Sequence, residues 1–191
     1  ISAVLDEVRS RVIELQKTYD ETLLGELRGM RDQLAQVQNV DDLENQRDLI
    51  RGAITQLNLT RGKITQRLIA EMHKMPDVPE ATWRSIFCSL FNKDFRDNVE
   101  SGYEKIQELF GYYLASSELL AYAYALLGES RTYEDIFTPD SELLKKNNLA
   151  NLIRSEKVLG ICEERWYSAP GLYLGRVKAE AQQIFLPNPE D

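Results

Sequence analysis

The first 39 residues carry an apolar stripe at helical spacing. Successive apolar positions lie three or four residues apart, which is the repeat of one face of an α-helix. They are Val8, Val12, Leu15, Tyr19, Leu23, Leu27, Met30, Leu34 and Val37. The steps do not keep a strict seven-residue repeat over this length, so the pattern does not indicate a long supercoil. It predicts an amphipathic helix about 55 Å long, at 1.5 Å per residue.

A second apolar stripe follows, from Leu43 to about Met75. Asp41 followed by Glu44 is a capping-box pattern, in which the aspartate accepts backbone N–H bonds where a new helix begins. No proline precedes Pro76, as long helices require, because an interior proline costs about 3 kcal/mol. The pattern predicts a second helix of similar length.

The two predicted helices are joined by a very short turn. Helices of similar length that are connected in this way must lie antiparallel. We therefore predict a long, coiled-coil-like antiparallel hairpin over residues 1–75, with Leu27, Met30 and Leu34 buried in its seam. The second stripe is interrupted near Thr60–Arg61.

Helical patterns continue beyond this hairpin. Capping residues and glycine or proline breaks delimit further helices, the longest of which ends near Leu127 with Gly128 as its C-cap. Strand signals are weak throughout. The sequence predicts an all-α fold, an elongated bundle of five to six helices in which residues 76–191 pack on the hairpin as one continuous domain.

The formal net charge of −8 narrows the expected partners. A phosphate-binding surface needs a concentrated basic face, and no Lys/Arg cluster is present, so we expect no nucleic-acid partner. Two cysteines, Cys88 and Cys162, are too few for a disulfide framework, and we predict buried, reduced thiols, with one bridge between them as the alternative. The chain shows no signal peptide, which favours the cytoplasm, with signal-less secretion as the alternative. Because Ile1 enters directly into helical periodicity, the sequence has the pattern expected of a trimmed or internal fragment.

Few residues offer catalytic or metal-binding chemistry. His73 is the only histidine, and no nucleophile motif such as Gly-x-Ser-x-Gly accompanies it. An acidic stripe at helical spacing is formed by Asp94, Asp97, Glu100, Glu104 and Glu108. All-α nucleotide pyrophosphohydrolases hold Mg²⁺ with such helix-borne carboxylates, but they need a second, facing set. We find no convincing second set, so we interpret the stripe as a solvated helix face and predict no enzyme activity, cofactor or metal.

Two pairs of glycines interrupt the first two predicted helices. Gly25 and Gly29 lie four residues apart in the first helix, and Gly52 and Gly62 lie in the second. Each costs about 1 kcal/mol relative to alanine, which a close backbone approach or a need to bend would offset. The alternative is an exposed helix face that tolerates glycine. We treat Gly25 and Gly29 as candidate interaction residues.

The stretch from Leu109 to Leu127 is the most unusual in the chain. Its only charge is Glu118, and its length approaches the roughly 20 residues that span a bilayer. Tyrosines near both ends and small residues along it suit either a membrane or close helix contact. The candidate interaction or membrane residues are Gly111, Ala115, Glu118, Tyr122 and Tyr124. A helix that is apolar all round is, however, typical of a bundle centre, and we predict that role.

These features leave three classes of function. We expect a non-enzymatic adaptor or assembly subunit that binds a protein partner, or itself, through helical surfaces. In architecture the chain also resembles α-helical pore-forming toxins, which combine a long coiled-coil body with a sheltered apolar helix. This resemblance implies a soluble component of a membrane-acting system as the alternative, and a carboxylate–metal all-α hydrolase comes third.

Overall fold

The computed structural model describes residues 1–37, 43–88 and 102–129 of the chain. Within these ranges there are four helices and no strand, which confirms the all-α prediction for this part of the protein. The helices are α1 (Ser2–Ala35), α2 (Leu43–His73), α3 (Glu80–Cys88) and α4 (Glu104–Leu126). The predicted total of five to six helices is not confirmed, because the helices expected after Gly128 lie outside the described residues. The capping aspartate Asp41 and Cys162 also lie outside them.

Two contacts fix the direction of α1 relative to α2. Thr60 Oγ1 of α2 donates a hydrogen bond to Glu26 Oε2 of α1 over 2.8 Å. Two turns further along α2, Arg67 Nε lies 2.8 Å from Asp20 Oδ1. The residue number along α1 therefore falls as the residue number along α2 rises. The two helices are antiparallel, as the sequence predicts.

The contact between these helices buries the residues that the sequence assigned to it. Leu27 and Leu34 are completely buried, and Met30 is 5% exposed. Ile64 and Leu68 of α2 belong to the same apolar cluster. The C-terminal half of α1, which contains these residues, is therefore held in place by the removal of apolar surface from water.

Helix α4, rather than α1, is the main neighbour of α2. Arg61 of α2 contacts Ser117 of α4, and Arg51 contacts Glu129 just beyond it, so α2 is antiparallel to α4 as well. Every residue from Leu109 to Ala123 is buried, which confirms the central position predicted for this apolar segment. The core is organised around α4, and α1 packs on it with its C-terminal half.

Both ends of α4 are fixed by local contacts. At its start, the ring of Tyr103 meets the ring of Trp83 of α3 edge-on, with 5.9 Å between centroids. At its end, Gly128 adopts a φ of +72°, and the N–H of Glu129 donates to the carbonyl of Tyr124 over 3.1 Å. This is the Schellman arrangement, in which a left-handed residue, here glycine, satisfies the last carbonyls. The capping role predicted for Gly128 is confirmed, with Leu127 as the C-cap residue and Gly128 directly after it.

The apolar stripe of α1 is covered only in the C-terminal half of the helix. Val8, Val12, Leu15 and Tyr19 are all exposed. The cause is the length of the neighbours. Continuing the antiparallel pairing from Asp20–Arg67 brings the last residue of α2 level with about residue 14 of α1. Helix α4 begins with Glu104 at the level of Asp20, because Lys105 Nζ lies 2.8 Å from Asp20 Oδ2. Neither helix continues beside the first dozen residues of α1.

Candidate interaction surface

The N-terminal half of α1 presents a continuous apolar face to solvent. We call this face the exposed seam, and it consists of Ile1, Leu5, Val8, Val12, Leu15 and Tyr19. Its side chains are between 41% exposed at Tyr19 and 59% exposed at Leu15, apart from the fully exposed Ile1. Val4 lies beside the seam and is also exposed, and Ile13 is exposed on the outer face of the helix. The two half-stripes of α1 are thus similar in composition and opposite in burial.

The exposed seam keeps a regular seven-residue repeat. Its steps alternate between four and three residues from Ile1 to Tyr19. This is the spacing with which two helices interlock side by side in a coiled coil. After Tyr19 the steps to Leu23 and Leu27 are both four, so the repeat changes phase where α1 enters the core. A prediction that treats the apolar stripe as one unit along the whole helix does not detect this change of phase.

A group of charged side chains marks the boundary between the two halves of α1. We call it the charge cluster, and it consists of Asp20, Arg67, Glu71, Lys105 and Glu108. The carboxylate of Asp20 is only 2% exposed and accepts from Arg67 of α2 and Lys105 of α4. Arg67 also contacts Glu71 at 3.0 Å, and Lys105 contacts Glu108 at 3.3 Å. One buried carboxylate therefore ties three helices together.

The ionisation of the charge cluster follows from its contacts. Burial opposes the charged form of Asp20, but the hydrogen bonds and charges of Arg67 and Lys105 outweigh it and lower the pKa of this carboxyl. The hydrogen bond to Asp20, more than that to Glu71, raises the pKa of Arg67. Glu71 has a lowered pKa because bonds from Lys74 and Arg67 overcome its burial. Asp20, Arg67 and Glu71 are thus ionised at neutral pH. None of its members was singled out for this role from the sequence, because its residues lie on three helices.

The polar interruption at Thr60–Arg61 lies inside the core. Thr60 is completely buried and bonds to Glu26 of α1, as described above. Arg61 is 7% exposed, donates to Ser117 Oγ of α4 over 3.0 Å and lies 5.7 Å from the ring centroid of Tyr113. Burial lowers the pKa of its guanidinium. The interruption therefore supplies α2 with one polar contact to each neighbouring helix.

The candidate residues of α4 are enclosed in the core, apart from Tyr124, which is half-buried. Gly111, Ala115 and Glu118 are buried, and Glu118 has an interaction partner. Tyr122 is 1% exposed, and its hydroxyl has no hydrogen-bond partner among the described residues. Burial raises the pKa of this phenol. Among the described helices, none is long and apolar enough to cross a membrane.

The candidate glycines of α1 are not approached closely by another backbone in the described part of the chain. Gly25 and Gly29 are exposed, and a Cβ atom added at either would meet nothing within 4 Å. The same is true of Gly52 and Gly62 in α2. These four positions therefore lie on exposed helix surface, which tolerates glycine.

The predicted acidic stripe is described only at its C-terminal end. Asp94, Asp97 and Glu100 lie outside the described residues. Glu104 accepts from the N–H of Gly102 at the start of α4, and Glu108 belongs to the charge cluster. In the described parts of the chain, no three carboxylate, histidine or cysteine side chains could hold a metal ion. His73, the last residue of α2, is exposed.

Comparison with protein-family models, curated proteins and solved structures finds no match to this chain. The candidate site therefore rests on its own geometry. Of the surfaces described above, the exposed seam combines regular spacing, apolar character and the absence of a described neighbour. We take it as the candidate site.

Proposed function

We propose that this protein acts non-enzymatically, as an adaptor or assembly subunit that binds a partner helix through the exposed seam of α1. The observation that supports this most directly is the regular heptad spacing of apolar side chains on the part of α1 that has no neighbouring helix among the described residues. Contiguous apolar surface on a folded protein commonly marks a site of association. A seven-residue repeat specifies that the partner is helical.

The stability of the helix itself supports the same proposal. An isolated helix of 12 to 15 residues is marginal in water, because most helical stability in proteins comes from packing of an apolar face. Residues 2–13 of α1 extend about 18 Å beyond the level at which α2 ends, at 1.5 Å per residue. A partner helix along the exposed seam would supply the packing that this segment lacks.

The size of the exposed seam indicates a moderate affinity. Fully burying a side chain such as Val or Leu contributes about 1.5–3 kcal/mol, and these side chains are already half-buried on their own helix. Burying the remainder of the six gives roughly 6 kcal/mol, and the matching seam of a partner helix contributes about as much again. Association costs an estimated 4–15 kcal/mol in lost freedom and ordering. A single partner helix is therefore held reversibly, and contacts beside the seam decide which partner binds.

A designed helical peptide tests the association. The probe has about three heptads, an apolar seam and glutamine at the flanking positions. We expect the full chain to bind it, measured by fluorescence anisotropy, and the Val8→Asp/Val12→Asp variant to lose binding because its seam carries charges. Glu14→Lys, on the outer face of the same segment, is the matched control and should bind normally. Equal binding by both variants would place the contact elsewhere and refute this function.

A further inference from the structure

The charges beside the exposed seam are unequal in sign. In the register of the seam, Leu5, Val12 and Tyr19 occupy a positions, so Arg9 and Gln16 are at e and Arg11 and Thr18 are at g. These flanking positions face the partner and set its identity and orientation. Both charges on them are positive.

The acidic residues of this segment face outward. Asp6, Glu7 and Glu14 occupy b and c positions, away from a partner on the seam. Arg9 and Arg11 are exposed, and neither forms an ion pair within the described part of the chain. A chain with a net charge of −8 therefore presents a locally basic border along its exposed seam.

A second copy of this chain is a poor partner for the charges of the basic border. Parallel pairing would set Arg11 of one copy opposite Gln16 of the other, which is not attractive. The core positions do not decide the question, since Leu5 at a and Val8 at d invert the preference of parallel dimers for a β-branched residue at a and leucine at d, whereas Val12 and Leu15 follow it. Antiparallel pairing brings e to e and g to g, so Arg9 faces Arg9 and Arg11 faces Arg11 of the second copy. Like charges so placed are destabilising.

We propose that the exposed seam binds an amphipathic helix of another protein whose own apolar seam is flanked by glutamate or aspartate. This rests on the proposed function and adds the chemistry of the partner. Each arginine then lies opposite a carboxylate. Such charge pairs contribute more to partner choice and association rate than to affinity.

Two peptides that differ only in flanking charge test this partner chemistry. Both share the length and apolar seam of the glutamine probe, but one carries glutamate and the other lysine at every e and g position. Like charges keep each peptide from pairing with itself. We expect the full chain to bind the glutamate peptide about tenfold more tightly than the lysine peptide at low salt, with the difference shrinking as salt is added.

Reversing the charges of the basic border should reverse the preference between the two peptides. The Arg9→Glu/Arg11→Glu variant should favour the lysine peptide and should melt like the wild type, because both side chains are exposed. Equal binding of both peptides by the wild type would overturn the acidic partner while leaving helix association standing.

Sedimentation of the chain alone tests whether a second copy of the chain occupies the exposed seam. A dimer that the Val8→Asp/Val12→Asp variant converts to monomer would identify a second copy as the occupant. It would overturn this inference and support the proposed function. Failure of the wild type to bind the glutamate, lysine and glutamine peptides, together with a monomeric chain, would refute both.

Discussion

The two halves of α1 have nearly the same apolar spacing and opposite surroundings. In the C-terminal half, Leu23, Leu27 and Leu34 are completely buried against the core around α4. In the N-terminal half, Val8 and Leu15 keep more than half of their surface in water, although their spacing along the helix is equivalent. Periodicity therefore identifies which residues share a face but does not show whether that face is covered.

The boundary between the halves lies at the charge cluster. Asp20 is the first buried residue of α1, and it is tied to Arg67 near the end of α2 and to Lys105 near the start of α4. A buried carboxylate of this kind requires its cationic partners, because leaving it unpaired is costly. The charge cluster thus fixes the point along α1 at which the helix leaves the core. The exposed seam lies on the N-terminal side of that point.

A charge placed in each half should give the largest contrast. Leu27→Asp would bury an unpaired carboxylate in the apolar contact between α1 and α2, and we expect a loss of about 4 kcal/mol in the free energy of unfolding. Val12→Asp, at an equivalent position of the exposed seam, should change it by less than about 0.5 kcal/mol. Urea unfolding followed by circular dichroism measures both. Similar losses from the two variants would show that the halves are equally packed.

Breaking the charge cluster should have the next largest effect. Arg67→Met removes the two hydrogen bonds that Arg67 donates to Asp20, and we expect a loss of about 3 kcal/mol, because a buried charge is left incompletely paired. Arg11→Met, on the exposed half, is the control and should be close to neutral. Adding Asp20→Asn to Arg67→Met should recover part of the loss. Strictly additive losses in the double variant would mean that the two residues do not act together.

The sequence predicted the helices well and their environment poorly. The absence of proline before Pro76, the apolar spacing and the glycine at 128 located α1, α2 and the end of α4, because these signals act within a few residues. The burial of Leu27 and the central place of the segment from Leu109 followed from apolar density alone. Such properties depend on local chemistry, which a sequence displays directly.

The candidate site depended on non-local facts. That Val12 is exposed follows from where α2 ends and where α4 begins relative to α1, and no pattern within α1 reports the length of its neighbours. The cluster around Asp20 joins three helices that are far apart in sequence. One local signal was available: the three consecutive four-residue steps from Leu15 to Leu27, which interrupt the alternation of four- and three-residue steps found on either side. Read as a change of partner, it divides α1 at the correct place.

Lowering the pH should weaken the charge cluster and decrease the free energy of unfolding by less than the substitutions above. Asp20 has a pKa below its ordinary value of 3.8, so its contribution to stability is present above that value and is lost as the pH falls through the lowered pKa. The effect is smaller than that of Arg67→Met, because a neutral carboxyl still accepts hydrogen bonds. Unfolding free energies measured from neutral pH to below 3.8 should fall less in Asp20→Asn than in the wild type. Parallel curves would show that Asp20 contributes no pH dependence.

Removing the start of α1 should have the smallest effect of all. Deletion of residues 1–12 takes away most of the exposed seam but no side chain of the core and no member of the charge cluster. We expect the free energy of unfolding to change by less than about 0.5 kcal/mol, because surface changes away from packed contacts are close to neutral. In the intact chain, hydrogen exchange should be fast at the amides of residues 5–13 and slow at those of residues 23–34, since only the latter are held by packing. The glutamate peptide should slow exchange in the first group alone. A loss of several kcal/mol on deletion, or strong protection of residues 5–13 without a peptide, would show that another part of the same chain already covers the exposed seam.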